Sequence, residues 1–290
     1  MMMKSSRRKF LKTAAAVSAL AFLDGKKAFS MDERQYMKNF GLQLYTLRDI
    51  FGNDPKGYIQ QISSYGYTQI ESYEGKEGMF WGMTPAIFNQ CIQDAGMTLV
   101  SSHCDISKDF EQKVISAASI GMKYLICAWV GPQKSIDDFK RIADDFNSKG
   151  ALCKKHGIKF AYHNHDYSFK KIDGEIPQDI MMQMTDPELV DFEMDIYWVI
   201  TGGADPYEYL KKYKGRFKLG HLKDRLKDAL PQETDASCTM GTGSIHFKKI
   251  LPYAKSKGME YFFIEQERYD YTTPIISVKE SAEYLKSIKI

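Results

Sequence analysis

The chain carries only six histidines among 290 residues. Four of them, His103, His163, His165 and His221, fall at or just past the end of a short apolar or β-branched run. His156 and His246 fall at the end and the start of amphipathic stretches instead. Two acids take matching places: Asp195 closes Asp191-Phe-Glu-Met-Asp195, and Glu265 closes Phe262-Phe-Ile-Glu265. A carboxylate buried behind apolar residues is costly unless a cation or hydrogen bonds compensate it. Imidazole nitrogens and carboxylate oxygens gathered from such distant stretches suit one divalent cation, Mn²⁺, Mg²⁺, Fe²⁺, Co²⁺ or Zn²⁺, and the ligand types do not choose among these. Each residue also has a plainer reading. A lone Asp at a strand end often only caps a helix, Glu193 reads as a helix-facing partner, and Glu267 reads as a solvated loop acid. Trp129, Tyr197 and Trp198 suit a core equally with a face that stacks on a sugar ring.

Residues so far apart need a scaffold that delivers them to one place. From Phe40 onward, strand-like runs at 40–46, 68–73, 97–103, 123–129, 158–163, 189–195, 216–222 and 261–265 alternate with helix-like segments. The helices are expected at 55–65, 85–95, 109–120, 135–156, 178–184, 206–213, 246–257 and 277–288. Eight strands, each followed by a helix, over 251 residues predict an α/β (β/α)₈ TIM barrel, a fold that typically needs about 250. Chemistry in that fold sits on the loops after the strands, where the histidines and acids lie. A doubly wound open sheet is the competitor, but Leu47-Arg48-Asp49-Ile50-Phe51-Gly52 after the first strand offers no glycine-rich phosphate cradle. No internal repeat or low-complexity linker marks a further domain within 31–290.

The formal charge of +3 comes largely from the first thirty residues. Those residues hold seven Lys or Arg and one acid, so the remainder has 33 bases against 36 acids. A slightly negative body argues against a nucleic-acid partner. Ser6-Arg7-Arg8-Lys9-Phe10-Leu11 followed by an apolar run to Leu23 resembles a twin-arginine export signal over 1–30. That apolar run is shorter than the ~20 residues a bilayer span requires. The sequence thus predicts a periplasmic protein with no stable membrane insertion after processing, folded before export. Five cysteines, odd in number and without a Cys-x-x-Cys, suggest neither a disulfide framework nor a thiolate zinc site.

The order Gly41-Leu-Gln-Leu-Tyr45-Thr, Ser101-Ser-His103, Tyr162-His-Asn-His165-Asp, Asp195-Ile-Tyr-Trp198, Gly220-His-Leu-Lys-Asp224, Gly241-Thr-Gly243 and Ile264-Glu265-Gln266 resembles the sugar phosphate isomerase/epimerase group of xylose isomerase-like TIM barrels. The resemblance runs over nearly the whole chain after Phe40. It implies a divalent metal held by Asp195, His221 and Glu265, after strands six, seven and eight. At the fourth position, where that group usually has Glu, this chain has His163, which can still ligate but cannot serve as a carboxylate base. The resemblance further implies proton transfer beside a carbonyl by Glu265, with His163 or His165 as a second base or acid. Lys223 adds positive charge or else pairs with Asp224 at the surface. Tyr45, Glu71, His103, Trp129, Asn164 and Trp198 are expected to bind substrate, and Gly241-Thr-Gly243 to fold over it.

The expected activity is a metal-dependent isomerase or epimerase acting on an unphosphorylated sugar or keto-sugar. The first alternative is a lyase or hydratase acting on 3-keto-glycosides or inosose-like substrates. From another class, the barrel is a sugar binder without turnover; a nuclease of the same superfamily fits the negative body poorly. The partner is a small carbohydrate, and an oligomer is compatible with the sequence.

Overall fold

The computed structural model describes residues 35–290; the export signal expected over 1–30 lies outside the described residues. Helix starts follow local chemistry. Asp54, Thr84 and Asp205 each cap a helix that opens on proline: α1 (Pro55–Ser64), α2 (Pro85–Asp94) and α7 (Pro206–Lys212). These side chains accept otherwise orphaned backbone N–H groups, and proline lacks the N–H that would go unmet at the first turn. Ser135 and Asp138 form a reciprocal capping box at the start of the longest helix, α4 (Ile136–Lys155). Several helices stop at a glycine in the left-handed region, among them Gly96 (φ 74) after α2 and Gly157 (φ 76) after α4.

Eight parallel strands close on themselves: β1 (Gly41–Gln43), β2 (Gln69–Tyr73), β3 (Thr98–Cys104), β4 (Tyr124–Cys127), β5 (Lys159–His163), β6 (Val190–Asp195), β7 (Phe217–Leu222) and β8 (Tyr261–Ile264). Each strand pairs with its sequence neighbours, and β1 closes the ring against β8. The fold is a TIM barrel, as the alternation predicts. The remaining helices are α3 (Phe110–Ser119), α5 (Pro177–Met184), α6 (Ile196–Thr201), α8 (Phe247–Ser256) and α9 (Pro274–Lys286). Two differences bear on the site. The first strand is only three residues long because Leu44–Leu47 turns into a 3-10 helix with Gln43 accepting from the Tyr45 N–H. The six-residue α6 follows directly from β6, where the sequence reading places no helix.

Most of the apolar core lies between barrel and helices. A smaller cluster, Val100, Tyr124, Ile126, Ala161, Leu219 and Phe263, stands apart from it. Side chains alternate across a strand, so two residues beyond Ala161, Leu219 and Phe263 the same inward face presents His163, His221 and Glu265. The interior therefore changes from apolar to ionisable along its length, and the polar groups collect at the strands' carboxyl ends.

No helix among the described residues is long and apolar enough to cross a membrane.

Candidate metal centre

Asp195 ends β6 and is also the N-cap of α6. Its Oδ1 accepts the Trp198 backbone N–H at 3.1 Å. The helix-cap reading and the ligand reading of this residue are thus met by different oxygens. Oδ2 makes no hydrogen bond, although it is buried, and it lies 3.5 Å from His163 Nε2. Both ring nitrogens of the buried His163 likewise lack a hydrogen-bond partner. His221 enters from β7 with Nδ1 at 3.2 Å from Glu265 Oε2 and 3.9 Å from Asp195 Oδ2. One ligand atom from each of His163, Asp195, His221 and Glu265 lies within 4.8 Å of the others. Buried His163 Nε2 and Asp195 Oδ2, left without hydrogen-bond partners beside His221 and Glu265, fit a divalent cation, and the mixed nitrogen and oxygen set suits Mn²⁺, Co²⁺, Fe²⁺, Mg²⁺ or Zn²⁺.

Lys223 supplies a fixed charge beside this quartet. Only 1% exposed, its ammonium reaches Glu265 Oε2 at 2.6 Å, Glu267 Oε1 at 2.5 Å and Asp195 Oδ2 at 3.3 Å. Burial acts to lower its pKa, but Asp195, Glu265 and Glu267 together raise it well above the ordinary lysine value. Burial likewise acts to raise Glu265, and Lys223 and His221 instead hold it well below the usual carboxylate range. Lys223 does not pair with Asp224. That carboxylate turns away and accepts the backbone N–H groups of Arg225, Gly241, Gly243 and Ile245 at 2.8–3.1 Å. The expectation that Gly241-Thr-Gly243 folds over the substrate is corrected accordingly. The segment wraps the Asp224 carboxylate, so tightly that a Cβ on Gly243 would meet Oδ1 at 2.3 Å.

Below the mouth lies a second set, Glu71, His103, Glu193 and His221. Glu193 is fully buried and faces His103 Nε2 at 2.7 Å, so its reading as a helix-facing partner is corrected. The signal was present, since Glu193 is two residues before Asp195 and shares its face of the strand. Burial and the Glu71 charge raise Glu193 to about 7. Burial acts to lower His103, but Glu71 and Glu193 raise it to about 9. His163, pressed by burial and by His221, is lowered to about 4.

A cavity of about 810 Å³ opens above the mouth. Its lining brings together Tyr45, His103, Trp129, His163, His165, Trp198, Lys223 and Glu265 from the expected set. Trp129 is 57% exposed and stands edge-on to His165, with centroids 4.6 Å apart. Glu71 and Asn164 do not reach the cavity. Glu71 is fully buried beneath it, and Asn164 exchanges hydrogen bonds at 3.2 Å with the Asp195 backbone, tying the ends of β5 and β6. Asp195 and His221 are fully buried and sit against the lining residues His163 and Glu265. Tyr73, Glu74, Asp105 and Asp166 also line the wall, with no motif in the sequence to mark them. Glu267, expected as a solvated loop acid, instead pairs with the buried Lys223.

No family model matches the chain. Among solved structures, a sugar phosphate isomerase/epimerase from Parabacteroides distasonis ATCC 8503 superposes with a TM-score of 0.76 at 26% identity, covering 88% of this chain and 96% of that one. The 3-keto-D-glucoside 4-epimerase of E. coli shares the fold, with a TM-score of 0.66 at 14% identity over 87% of this chain and 99% of its own. An inosose dehydratase from Clostridium perfringens is 31% identical over 145 residues, 46% of this chain. The match covers 48% of that relative, so the chain spans about half the length of the curated relatives it matches.

Proposed function

We propose that the barrel is a metal-dependent enzyme that removes a proton beside a carbonyl of an unphosphorylated sugar or keto-sugar. The observation that carries this is the mouth quartet, in which His163 Nε2 and Asp195 Oδ2 are buried without hydrogen-bond partners and aimed at the same space as His221 Nδ1 and Glu265 Oε2. A divalent cation held by these four would polarise a carbonyl and its neighbouring hydroxyl and stabilise negative charge developing on oxygen. Glu265, at the lip and open to the cavity, takes the α-proton. Lys223 keeps the Glu265 carboxylate oriented and adds positive charge to the side where that oxygen lies. His165, just after β5, also lines the cavity and serves as the second proton-transfer group. Tyr45, Trp129 and Trp198 offer faces for the apolar side of a sugar ring.

The cavity wall argues against a phosphorylated substrate. Glu74, Asp105, Asp166, Glu265 and Glu267 line it against a single lysine and no arginine, and that lysine is already held by three carboxylates. A phosphate entering there meets repulsion and, among the described residues of the wall, no unpaired basic side chain.

Two outcomes of the same proton abstraction remain to be separated: reprotonation, giving an isomer or epimer, and expulsion of the group on the next carbon, giving elimination. The dehydratase relative favours elimination and the epimerase neighbour favours reprotonation. Incubating the metal-loaded protein with aldoses, ketoses and 3-keto-glycosides in D₂O decides. Deuterium in a product of otherwise constant mass identifies an isomerase or epimerase, and loss of water or an aglycone identifies a lyase. Ligand binding with no deuterium entering any sugar identifies a non-catalytic binder. The twin-arginine signal belongs to the same proposal, with the chain folded and loaded with its cation before reaching the periplasm. Cell fractionation with the paired Arg7 and Arg8 replaced by lysine tests it.

A further inference from the structure

Glu71 lies on the far side of His221 from the cavity and cannot touch a ligand there. We propose that Glu71 is a positioning residue for His221: its carboxylate grips the imidazole at Nε2, so that Nδ1 is the nitrogen presented at the mouth. The inference rests on the metal-dependent reading above.

The geometry is specific at every link. His221 Nε2 meets Glu71 Oε1 at 2.6 Å, while Nδ1 faces Glu265 and Asp195. The ring lies nearly parallel to that of His103, with 10° between planes and centroids 5.1 Å apart, which restricts its rotation. Glu71 is itself held on both oxygens. Gln43 Nε2 donates to Oε1 at 2.8 Å and Ser101 Oγ donates to Oε2 at 2.6 Å. The anchors come from β1, β2 and β3, and the histidine they fix comes from β7. Glu193 Oε2 also approaches His221 Nε2, at 3.3 Å, but its short contact is with His103 at 2.7 Å.

An imidazole that ligates through one nitrogen keeps its proton on the other, and a carboxylate accepting that N–H fixes the tautomer and strengthens the ligating lone pair. Glutamine at position 71 could still accept the hydrogen bond but would lack the charge. Alanine at position 101 would leave every charged group in place and only loosen Glu71.

The test compares wild type, Glu71→Gln and Ser101→Ala, stripped of metal and titrated with Mn²⁺ or Co²⁺ alone by calorimetry. ¹⁵N NMR of the Zn²⁺-loaded wild type reports the His221 tautomer. The expected result is one equivalent bound throughout, about 10- to 100-fold more weakly by Glu71→Gln, the range typical of losing an outer partner of a ligand. Ser101→Ala should weaken binding about three-fold, a partial loss of one charge-assisted hydrogen bond. His221 in the Zn²⁺-loaded wild type should carry its proton on Nε2. Unchanged affinity in both variants, or a proton on Nδ1, overturns the proposal. So does a wild type that binds two equivalents and loses one in Glu71→Gln, since Glu71 would then be a ligand. If the wild type binds no divalent ion, the metal-dependent reading falls and this inference falls with it, whereas intact wild-type binding with unaffected variants removes the inference alone.

Discussion

The two quartets that share His221 have nearly the same composition and opposite accounting of their polar atoms. In the inner one, two imidazoles and two carboxylates meet one another at 2.6–3.3 Å, and Gln43 and Ser101 complete Glu71. Glu193 Oε1 is the buried atom of this set left without a hydrogen bond. At the mouth, both nitrogens of His163 and one oxygen of Asp195 are left over. Burying a polar atom without a partner costs on the order of 1–3 kcal/mol. A fold that keeps His163 Nε2 and Asp195 Oδ2 unmet at 3.5 Å from each other is arranged for a ligand, while one whose groups satisfy each other is arranged for rigidity. The inner quartet accordingly reads as the support and the mouth as the working end.

Substitutions sharpen this contrast in order of expected size. Glu265→Gln removes the proton acceptor and should lower turnover by about 10²- to 10⁴-fold, the usual worth of a positioned acid or base. Steady-state rates on whichever sugar exchanges deuterium would measure it. Asp195→Asn should weaken divalent-ion binding by more than the roughly 100-fold upper range for an outer partner, as calorimetry would show. Asn keeps the cap of α6, so any loss of metal-free stability in this variant reports the buried Lys223, which gives up its Asp195 partner at 3.3 Å and keeps Glu265 and Glu267. Asp195→Ala would lose the cap of α6 as well, at about 1 kcal/mol.

His103→Ala probes the other quartet and should behave in the reverse way. Leaving Glu193 and Glu71 without that partner should cost about 3–5 kcal/mol of stability, read from denaturant unfolding of the metal-free protein. Divalent-ion affinity should stay within a few-fold of wild type. The smallest effect belongs to Trp129→Ala. Its ring is 57% exposed and packs edge-on against His165 and Tyr167, so stability should fall by no more than about 1 kcal/mol. KM should rise about two- to ten-fold, the worth of one stacking contact.

The barrel was legible because its signals are periodic and repeated. Strand runs ending in His103, His163, Asp195, His221 and Glu265, with glycines such as Gly96 and Gly157 closing helices, mark both the fold and the rim that carries the chemistry. The short α6 was not legible, since six residues give too little periodicity to separate a helix from a loop. The inward turn of Glu193 could have been read from its two-residue spacing to Asp195. The fates of Lys223 and Asp224 could not, because which of two adjacent residues faces inward depends on where β7 ends. Nor does Gly241-Thr-Gly243 announce its partner. Glycines that allow close approach to a substrate allow equally close approach to a buried carboxylate.

The central claim is that the mouth quartet, and not the inner one, holds a divalent ion. Its most direct test is the melting temperature of the metal-stripped protein with and without Mn²⁺ or Co²⁺. At about 100 times Kd a bound ion adds roughly 2.7 kcal/mol, a rise of about 5–10 °C for a domain of this size. The rise should appear in wild type, persist in His103→Ala and vanish in Asp195→Asn. No rise with any divalent ion, or one that survives Asp195→Asn and disappears in His103→Ala, would contradict the account.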